Sequence, residues 1–415
     1  MNNKNKINIP PGFKPSPLGP IPSDWEINEV NDIVSGLANG VTYDPDSTSG
    51  YPITRIETIA DGLINPIKVG LTPFSESLEK FKLKKGDILY SHINSVAHIG
   101  KTAYCEKDYE ILHGMNLLRL IPKSNIDSKL LYYLLNSKYA RKQAYSAAKR
   151  AVNQASLSTA EIRKFILPVP PINEQRSITS ILSTWDSAIS KTLLLINLLK
   201  LRNSVLQYKL LTGNNRLKGF ENKWKKKKIE DCLIYTPREV PKPSSSFFAL
   251  GIRSHGKGIF HKNDFDPEDL AMDVLFVVKE NDFILNITFA WEQAIAIAGK
   301  QDDGGLVSHR FPTYTFNLKN AIPEYFRYFI LQKYFKYQLG LISPGGAGRN
   351  RVLSKKDLLK LNVIIPEVDE QLAIANVLKQ ANKELKIAEQ KFETLKQQKR
   401  GLMQILLTGK KRLIN

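Results

Sequence analysis

One segment of the sequence comes close to a phosphate-binding loop. Residues 95–102 read SVAHIGKT after a predicted strand and lack only the first glycine of the G-x-x-x-x-G-K-T pattern that cradles nucleotide phosphates. Ser95 stands where that loop needs a glycine for its sharp turn. No helix pattern follows Thr102, and the second half of the chain has no equivalent segment. The pattern therefore does not favour an ATP site.

Other spacings that would indicate catalysis or metal binding are missing from the sequence. The histidine pairs His92 with His98 and His255 with His261 do not have the i, i+4 spacing of a helical metal site. The two cysteines form no C-x-x-C motif, so neither a disulfide framework nor a thiolate zinc site is indicated. An N/D-P-P-Y/F methyltransferase motif and a glycine-rich cofactor loop are also missing. We expect no catalytic residue, cofactor or metal in this chain.

The composition indicates a protein that binds a polyanion. The chain has 415 residues, a net charge of +20 and a pI near 9.6, with an ordinary apolar fraction of 42%. Nucleic acid is the first candidate, with an anionic membrane or a merely basic surface as alternatives. The richest apolar run, LLLINLL, is too short to span a bilayer, and the start resembles no secretion signal. We expect a cytoplasmic protein of at least two domains.

Arg, Lys, Asn and Gln in loops are the residues expected to contact DNA, because they reach both phosphates and base edges. The segment GGAGRNR (345–351) is the strongest candidate, since glycines allow close backbone approach to a phosphate. Trp291 fits a core position as well as a DNA contact. In the first half the candidates are Arg55, Ser91, His92, Asn94, Lys149, Arg150, Asn153 and Gln154. In the second half they are Arg253, His255, Asn286, Thr288, Arg310, Arg349, Asn350 and Arg351.

One block of sequence occurs twice and organises the rest of the chain. It runs from Leu157 to Gly213 and again from Leu353 to Gly409, with roughly fifteen identities in about 57 ungapped positions. Each copy starts with a predicted short helix, which Ser158 and Glu161 cap as a capping box in the first copy. A proline-ended strand follows, and then an acidic residue and a glutamine at which a long helix must start.

The two long helices are predicted to form a coiled coil. In both copies apolar residues recur in a four-three spacing over about five heptads, and a helix of about 37 residues is about 55 Å long, which favours a rod over an ordinary core helix. Asn203 and Lys399 share one seam position, where a polar residue can fix register. The first seam is Ile178, Leu182, Trp185, Ile189, Thr192, Ile196, Leu199, Asn203, Leu206 and Leu210. The second is Ile374, Leu378, Ala381, Leu385, Ala388, Phe392, Leu395, Lys399, Leu402 and Leu406.

Between the repeated blocks lie two stretches that share an outline and differ in content. Each is mixed α/β; the first follows a proline-rich strap that delivers Trp25, and a single helix over 126–148 is predicted to close it.

The Lys225–Lys228 run fits phosphate contact, a nuclear signal or a solvated domain entry. Because the segment leading to Trp224 matches the start of the chain, the termini are expected to lie close together. The domain scheme is 1–172, 173–213, 214–367 and 368–415.

This combination resembles the specificity subunit of type I restriction-modification systems over essentially the whole chain. The resemblance rests on two variable domains, each led in by G-F and a Trp and followed by P-x-x-x-E-Q, a long helix and LLTG. It implies an α/β (α+β) fold in which an antiparallel coiled coil separates two pseudo-two-fold related target-recognition domains. It also implies that segment 95–102 is a structural hairpin near the DNA.

The resemblance implies partners as well. Each recognition domain would read one half of a split double-stranded DNA target, while the chain recruits two methyltransferase subunits and restriction/translocase subunits without catalysing anything itself. S-adenosylmethionine, ATP and Mg would then bind in those partner subunits. A stand-alone DNA-binding regulator or anti-restriction decoy remains an alternative that predicts no methylation partner. A nuclease with an unrecognised site predicts metal-dependent cleavage by the purified chain.

Overall fold

A computed structural model describes residues 9–42, 44, 46–96, 98–151, 154–345 and 351–413. These residues form two compact units. Unit 1 contains the residues up to Leu193 together with those from Lys391 onward, and unit 2 contains Leu194–Gln390. Both long helices predicted from the repeat contribute residues to each unit.

The helices follow the repeat, since each short helix has a counterpart in the other half. They are α1 (Val30–Ile33), α2 (Ser128–Leu135), α3 (Lys138–Ala147), α4 (Thr159–Arg163), α5 (Ile172–Leu211), α6 (Ile229–Cys232), α7 (Pro323–Phe329), α8 (Lys333–Leu341), α9 (Lys355–Lys360) and α10 (Val368–Leu406). Short 3-10 helices cover Ile56–Ile59, Glu76–Phe81, Pro267–Asp269, Ala290–Glu292 and Lys300–Asp302. The predicted capping box of α4 is confirmed: Glu161 N–H donates to Ser158 Oγ, and Ser158 N–H donates to the Glu161 carboxylate.

Unit 1 contains fifteen strands among its described residues. They are β1 (Phe13–Lys14), β2 (Ile21–Pro22), β3 (Glu26–Glu29), β4 (Val34–Asn39), β5 (Tyr51–Thr54), β6 (Val69–Thr72), β7 (Lys82–Leu83), β8 (Ile88–Tyr90), β9 (Ile93–Asn94), β10 (Thr102–Tyr104), β11 (Tyr109–Leu112), β12 (Leu118–Pro122), β13 (Lys149–Ala151), β14 (Gln154–Ser156) and β15 (Ile166–Val169). Its sheets have the orders β10-β8-β12-β4, β6-β5-β11-β7 and β13-β14-β9, with the pairs β1-β2 and β15-β3. The predicted strap is thus partly a two-stranded hairpin.

Unit 2 repeats the first of these sheets and changes the second. Its strands are β16 (Lys225–Lys228), β17 (Leu233–Tyr235), β18 (Glu239–Pro241), β19 (Phe247–Ile252), β20 (Ile259–Phe265), β21 (Val274–Val277), β22 (Phe283–Leu285), β23 (Ile295–Ile297), β24 (Leu306–Val307), β25 (Thr313–Phe316) and β26 (Asn362–Ile365). The sheet β23-β22-β25-β17 has the same order of equivalent strands as β10-β8-β12-β4. The other sheet has five strands, β18-β21-β24-β19-β20, against four in unit 1. A shared frame with divergent additions is what the sequence predicted.

The single helix predicted over 126–148 is wrong in one respect. The chain forms α2 and α3 with a break at Asn136 and Ser137. Ser137 has extended backbone and its hydroxyl accepts from Ala140 N–H, so it caps α3. The four leucines whose spacing suggested a helix all lie in α2, and α3 buries Ala140 and Ala144 in the same core.

The lysine run is a strand with structural partners. Lys225–Lys228 pairs antiparallel with β26, as β3 pairs with β15 in unit 1. Lys225 Nζ lies 2.8 Å from Glu367, and Lys227 Nζ donates to Asn320 Oδ1 at 3.1 Å. This geometry favours the domain-entry interpretation over phosphate contact.

The two long helices pack along the predicted seam within each unit. α5 has 40 residues and α10 has 39, about 60 Å each at 1.5 Å per residue. No predicted seam residue of either helix, all of which are described, is exposed. In unit 1 Ile178 and Leu182 join a core with Leu406, and in unit 2 Leu210 joins one with Leu378. In each unit, residues later in α5 contact residues earlier in α10. The two helices therefore pair antiparallel, as predicted.

Candidate nucleic-acid interface and the junctions that support it

In unit 1 one buried carboxylate ties the start of α5 to residues near both ends of the chain. Trp25 Nε1 donates to Glu174 at 2.9 Å, and the Arg412 guanidinium donates to both Glu174 oxygens at 2.9 to 3.2 Å. Leu413 N–H donates to Glu174 at 3.1 Å, and Arg412 also binds Asp24 at 2.6 Å. The expectation that residues near the two termini lie close together is confirmed for these described residues.

The electrostatics of this junction favour an ionised carboxylate. Burial alone would raise the pKa of Glu174, but Arg412, Trp25 and the Leu413 N–H outweigh it and hold that pKa below its ordinary value. A carboxylate is an acceptor with several lone-pair sites, so it can receive all of these donors at once. A neutral amide could not replace it without losing the charge-assisted bonds.

Unit 2 contains the same junction built from the second copy. Trp224 Nε1 donates to Glu370 at 3.0 Å, and Arg216 donates from Nε at 2.6 Å and from Nη2 at 2.7 Å. Arg216 Nη2 also donates to the carbonyl of Asn222 at 2.9 Å. The bidentate pairing is the strong form of an arginine–carboxylate contact. The same three residue types thus hold the start of each long helix in place.

The glutamine after each junction glutamate connects the long helix to the recognition domain. Gln175 Oε1 accepts from the N–H of Asp127, the N-cap of α2, at 2.8 Å. Gln371 Oε1 accepts from the N–H of Ile322, the N-cap of α7, at 3.1 Å. Each Nε2 donates to the carbonyl of the proline five residues earlier, at 2.9 Å in both cases. Glutamine suits this position because one amide offers both donors and an acceptor.

The sequence locates these junctions without identifying their contacts. The E-Q pair repeats, and the Trp and Arg-Leu positions align between the copies. Their recurrence at matching positions is the signal that could have predicted a shared hydrogen-bond cluster. What the sequence lacks is the distance in space between Glu174 and Arg412, which are 238 residues apart.

A charged network occupies the seam of unit 1. Lys399 Nζ contacts Asp186 Oδ1, and Tyr133 Oη donates to Asp186 Oδ2 at 2.6 Å. Burial and the Asp186 carboxylate together raise the pKa of Tyr133. These residues line a groove of about 650 Å³ formed by α2, α3, α5 and α10. In unit 2 the equivalent seam position, Asn203, instead donates to the carbonyl of Ala381 at 2.9 Å.

In unit 1 one small sheet brings several DNA-contact candidates together. β14 lies between β13 and β9, so Ala155 pairs with both Arg150 and Asn94. Lys149 and Arg150 are exposed, and Arg150 stacks over the Tyr145 ring with 4.1 Å to its centroid. Its Nη2 donates to the Tyr145 carbonyl at 3.4 Å, and the other donors of the stacked guanidinium can still reach an anion.

The other unit 1 candidates vary in accessibility. Ser91 and His92 are buried: the Ser91 hydroxyl accepts from Asn94, and His92 Nε2 contacts Asn39 at 3.2 Å. Their position does not favour direct contact with DNA. Arg55 is partly exposed, 3.6 Å from a Glu57 oxygen. Of the remaining two, Gln154 has a described backbone in β14 only, and Asn153 lies outside the described residues.

In unit 2 several candidates gather around Ile287. Its N–H donates to the Arg310 carbonyl at 3.0 Å, and Leu353 N–H donates to the Ile287 carbonyl at 2.9 Å. Asn286 and Thr288 are the residues before and after Ile287 in the chain, so they lie beside Arg310. Thr288 N–H also donates to Asn286 Oδ1 at 3.0 Å, which orders this loop. Three candidates from two separate loops of the chain thus share one surface region.

The two arginines of this region differ in exposure and in the contacts of their side chains. Arg310 is exposed, whereas Arg351, two residues before Leu353, stacks over the Trp291 ring at 5.1 Å from its centroid. Arg351 Nε also donates to the Ser343 carbonyl at 3.2 Å. Trp291 is half-buried, between the two alternatives that the sequence left open. The other candidates of segment 345–351, Arg349 and Asn350, lie outside the described residues.

Arg253 and His255 form a second candidate site in the hairpin between β19 and β20. Arg253 stacks over the Phe260 ring at 5.2 Å from its centroid. His255 has a φ of 64°, in the left-handed region, and its N–H donates to the Glu292 carbonyl at 2.7 Å. The hairpin therefore presents a cation and an imidazole from a well-defined turn.

Burial shifts the pKa of two histidines and of both cysteines, residue types that can serve in catalysis or metal binding. Burial lowers the pKa of His92, and burial lowers the pKa of His113 to about 4. Burial raises the pKa of Cys232 to about 11 and also raises the pKa of Cys105. Lys101 of the SVAHIGKT segment donates to the Ala60 carbonyl at 2.8 Å. Within the described ranges, His, Cys, Asp and Glu form no group of three that could hold a metal ion.

Comparison with known proteins points to one family. The family model described as the type I restriction modification DNA specificity domain matches twice, over residues 22–198 and 221–397. A putative type I restriction enzyme MjaX specificity subunit of Methanocaldococcus jannaschii is 34% identical, with 97% of each chain covered. The MjaVIII specificity subunit of the same organism is 25% identical, with 95% of each covered.

Two solved structures share the fold. A type I restriction-modification S subunit from M. genitalium matches with a TM-score of 0.55 at 14% identity, covering 98% of each chain. A chain from a structure that describes complex assembly and conformational transition of the type I R-M system matches with a TM-score of 0.52 at 13% identity, covering 94% of this chain and 99% of that one. Among the described residues, no helix is long and apolar enough to cross a membrane.

Proposed function

The chain belongs to the type I restriction-modification DNA specificity family, and from that premise we propose how its parts divide the work. Each unit reads one half of a split double-stranded DNA target. The chain itself catalyses nothing, and it recruits two methyltransferase subunits and restriction/translocase subunits in the cytoplasm. S-adenosylmethionine, ATP and Mg bind in those partners.

One observation carries the proposal: the junctions repeat while the candidate DNA surfaces do not. Trp, Arg and Glu make the same contacts in both units. The candidate surface of unit 1 is a three-stranded sheet, whereas that of unit 2 is a hairpin and a cluster around Ile287. A repeated frame suits a repeated protein partner, and unlike surfaces suit two different DNA half-sites.

The candidate residues have chemistry suited to both tasks of DNA binding. Phosphate contacts supply affinity that depends on salt, and base contacts supply sequence preference. Lys149 fits the first role as an exposed point charge, and Arg150 and Arg310 fit either role because a guanidinium can pair bidentately with guanine or a phosphate. Asn286 and Asn94 carry amides of the kind that pair with adenine.

The matched lengths of α5 and α10 support a spacer role for the paired helices. Their 40 and 39 residues would hold the two readers about one DNA turn apart, roughly 34 Å. The helices would also provide the places where methyltransferase subunits dock.

Co-expression of the chain with its methyltransferase subunit, followed by long-read mapping of methylated bases, tests the function. We expect adenine methylation at one bipartite motif. Arg150→Ala and Arg310→Ala form a matched pair, and each should relax or weaken recognition of a different half of the motif, by about 1 to 3 kcal/mol. Methylation of a continuous motif, or an equal effect of both variants on both halves, would contradict the proposal.

The purified chain alone distinguishes the alternatives. Tight site-specific binding with no methyltransferase partner would favour a regulator or decoy. Metal-dependent cleavage of DNA by the chain would favour a nuclease. The proposed function predicts neither result.

A further inference from the structure

The turn that leads into β23 of unit 2 places a glutamine where the matching turn of unit 1 has a glycine. Gly100 and Gln293 each precede a residue whose carbonyl accepts an N–H from the end of the previous strand, at 2.8 Å from Ser91 and at 2.9 Å from Asn286. Both are left-handed, with a φ of 75° at Gly100 and of 65° at Gln293. Glycine adopts this conformation freely, whereas a glutamine there costs free energy. A glutamine at this position therefore needs a compensating contact.

The side chain of Gln293 makes that contact inside unit 2. It is 7% exposed, and its Nε2 donates to the Ile330 carbonyl at 2.8 Å. Ile330 is the C-cap of α7, where the last carbonyls of a helix lack intrahelical partners. Gln293 thus satisfies one of these carbonyls and anchors its own turn to the end of α7.

The anchored turn in its turn holds the tip of the β19–β20 hairpin, residues 253–258. The Gln293 carbonyl accepts from Gly256 N–H at 2.9 Å, and the Glu292 carbonyl accepts from His255 N–H at 2.7 Å. His255 is itself left-handed, with a φ of 64°. Strained backbone persists only where the surrounding structure fixes it, and such positions cluster at functional sites. The position of the hairpin tip therefore depends on Gln293.

The hairpin tip presents three basic side chains that face solvent. Arg253, His255 and Lys257 occupy alternate positions and all three are exposed. Among the described residues, no carboxylate lies within ion-pair distance of these groups. A lysine is suited to a phosphate, and a guanidinium can pair bidentately with a guanine edge. The sequence alone does not single out Lys257, because its place beside the other two is set by the tip.

We propose that Gln293 is a positioning residue for DNA recognition by unit 2. It holds the hairpin tip in place before DNA binds, so that Lys257 meets a phosphate and Arg253 meets a base edge in one fixed register. A tip that is already ordered loses little conformational freedom on binding. This inference rests on the proposed function, which gives unit 2 one half of the split target.

Competition binding tests the role of Gln293, with the full chain co-purified with its methyltransferase subunits. One duplex carries the mapped motif and the other is unrelated DNA. Gln293→Gly keeps the left-handed turn and every charge of the tip but removes the bond to Ile330. We expect affinity for the motif to fall about tenfold and affinity for unrelated DNA to change less than about twofold, because the phosphate-binding charges remain. Methylation mapping should show relaxed bases only in the half-site that Arg310→Ala affects.

Asn281→Gly is the matched control for loss of a left-handed side chain in unit 2. Asn281 has a φ of 68°, and its Oδ1 accepts from Arg327 Nη2 at 2.9 Å. This variant also loses one side-chain hydrogen bond, but its turn does not contact the hairpin tip. We expect motif affinity within about twofold of the natural chain. The urea midpoints of the two glycine variants should be alike, which separates positioning from general loss of stability.

Lys257→Ala tests the hairpin tip at an exposed position, independently of whether Gln293→Gly folds. It should weaken binding to both duplexes and reduce the dependence of log K on log salt by about one unit of slope. Unchanged binding of both duplexes by Lys257→Ala would overturn the inference. So would unchanged motif affinity in Gln293→Gly, equal losses in the two glycine variants, or relaxation of the other half-site. Absence of any split motif for the natural chain would refute the proposed function instead.

Discussion

At the scale of single residues, the junctions show one side chain serving several donors. Glu174 and Glu370 are each almost fully buried, and each accepts from a tryptophan and an arginine. A buried carboxylate without such partners would be strongly unfavourable. The tryptophans and arginines therefore make the buried charges tolerable, and the glutamates anchor the first turn of each long helix.

Glu174→Gln should destabilise unit 1 and alter its response to acid. The variant keeps an acceptor for Trp25 but removes the buried carboxylate from Arg412, which then pairs only with the exposed Asp24, so we expect a loss of about 2 to 3 kcal/mol at neutral pH. In the natural chain the depressed pKa of Glu174 stabilises the fold above its ordinary value of 4.5. That stabilisation is lost as pH falls through the lower folded pKa.

Urea unfolding between about pH 7 and pH 3 measures this effect. The natural chain should lose more stability than Glu174→Gln over the acid range below 4.5, so the two curves should converge. Glu26→Gln, at an exposed strand position, is the control and should follow the natural chain. Parallel curves for the natural chain and Glu174→Gln would show that this carboxylate does not couple to folding.

Residue types alone do not predict whether a candidate side chain is exposed. Ser91 and His92 are predicted to contact DNA because polar residues after a strand usually lie in surface loops. In the structure they are buried and contact Asn94 and Asn39, and only the tertiary fold brings Asn39 near. The junction residues show the same limit, since their recurrence is visible in the sequence and their contacts are not.

At the scale of elements, local periodicity is the most reliable signal. The seam of α5 and α10 is predictable because a heptad repeat depends only on neighbours along one helix. The break between α2 and α3 is not, because the leucine pattern ends at Leu135 and does not reveal that Ser137 caps a second helix.

Replacing Asp186 and Lys399 tests whether their contact stabilises the seam. Lys399→Met leaves a partly buried carboxylate without its cation, and we expect a cost of about 1 to 2 kcal/mol. Asp186→Asn with Lys399→Met removes both charges and should recover most of it. A double-mutant cycle of chemical unfolding gives the coupling free energy.

The control for this cycle is the exposed pair Lys200 with Glu389, 3.0 Å apart in unit 2. Exposed pairs contribute roughly 0 to 1 kcal/mol, so its coupling should be the smaller of the two. Equal coupling at both pairs would mean that partial burial of the Asp186 contact has no energetic consequence.

At the scale of the whole molecule, the repeat predicts the frame and leaves the recognition surfaces open. The two four-stranded sheets keep one strand order, and both junctions keep one contact set. These features recur because both copies must satisfy the same local packing. The surfaces around Arg150 and Arg310 differ in fold, so no comparison between the two halves could have predicted them.

Lengthening both arms tests the proposed spacer at this scale. Four residues, about one helical turn, would be inserted beside Lys200 in α5 and beside Glu389 in α10, which face each other in unit 2. The insertion lengthens each arm by about 6 Å, and a coiled coil absorbs such a stutter by local unwinding. We expect the unread gap of the methylated motif to grow by about one to two base pairs, at roughly 3.4 Å each, with both half-sites unchanged.

Long-read mapping of methylated bases measures that gap, and a one-sided insertion provides its control. Four residues inserted in α5 alone put the facing seam residues out of register and should abolish methylation, because each apolar seam position depends on its partner in the other helix. The double insertion restores the register, so recovery of methylation there shows that the arms act as a pair. If the double insertion methylates the original motif with its original gap, the arms do not set the spacing.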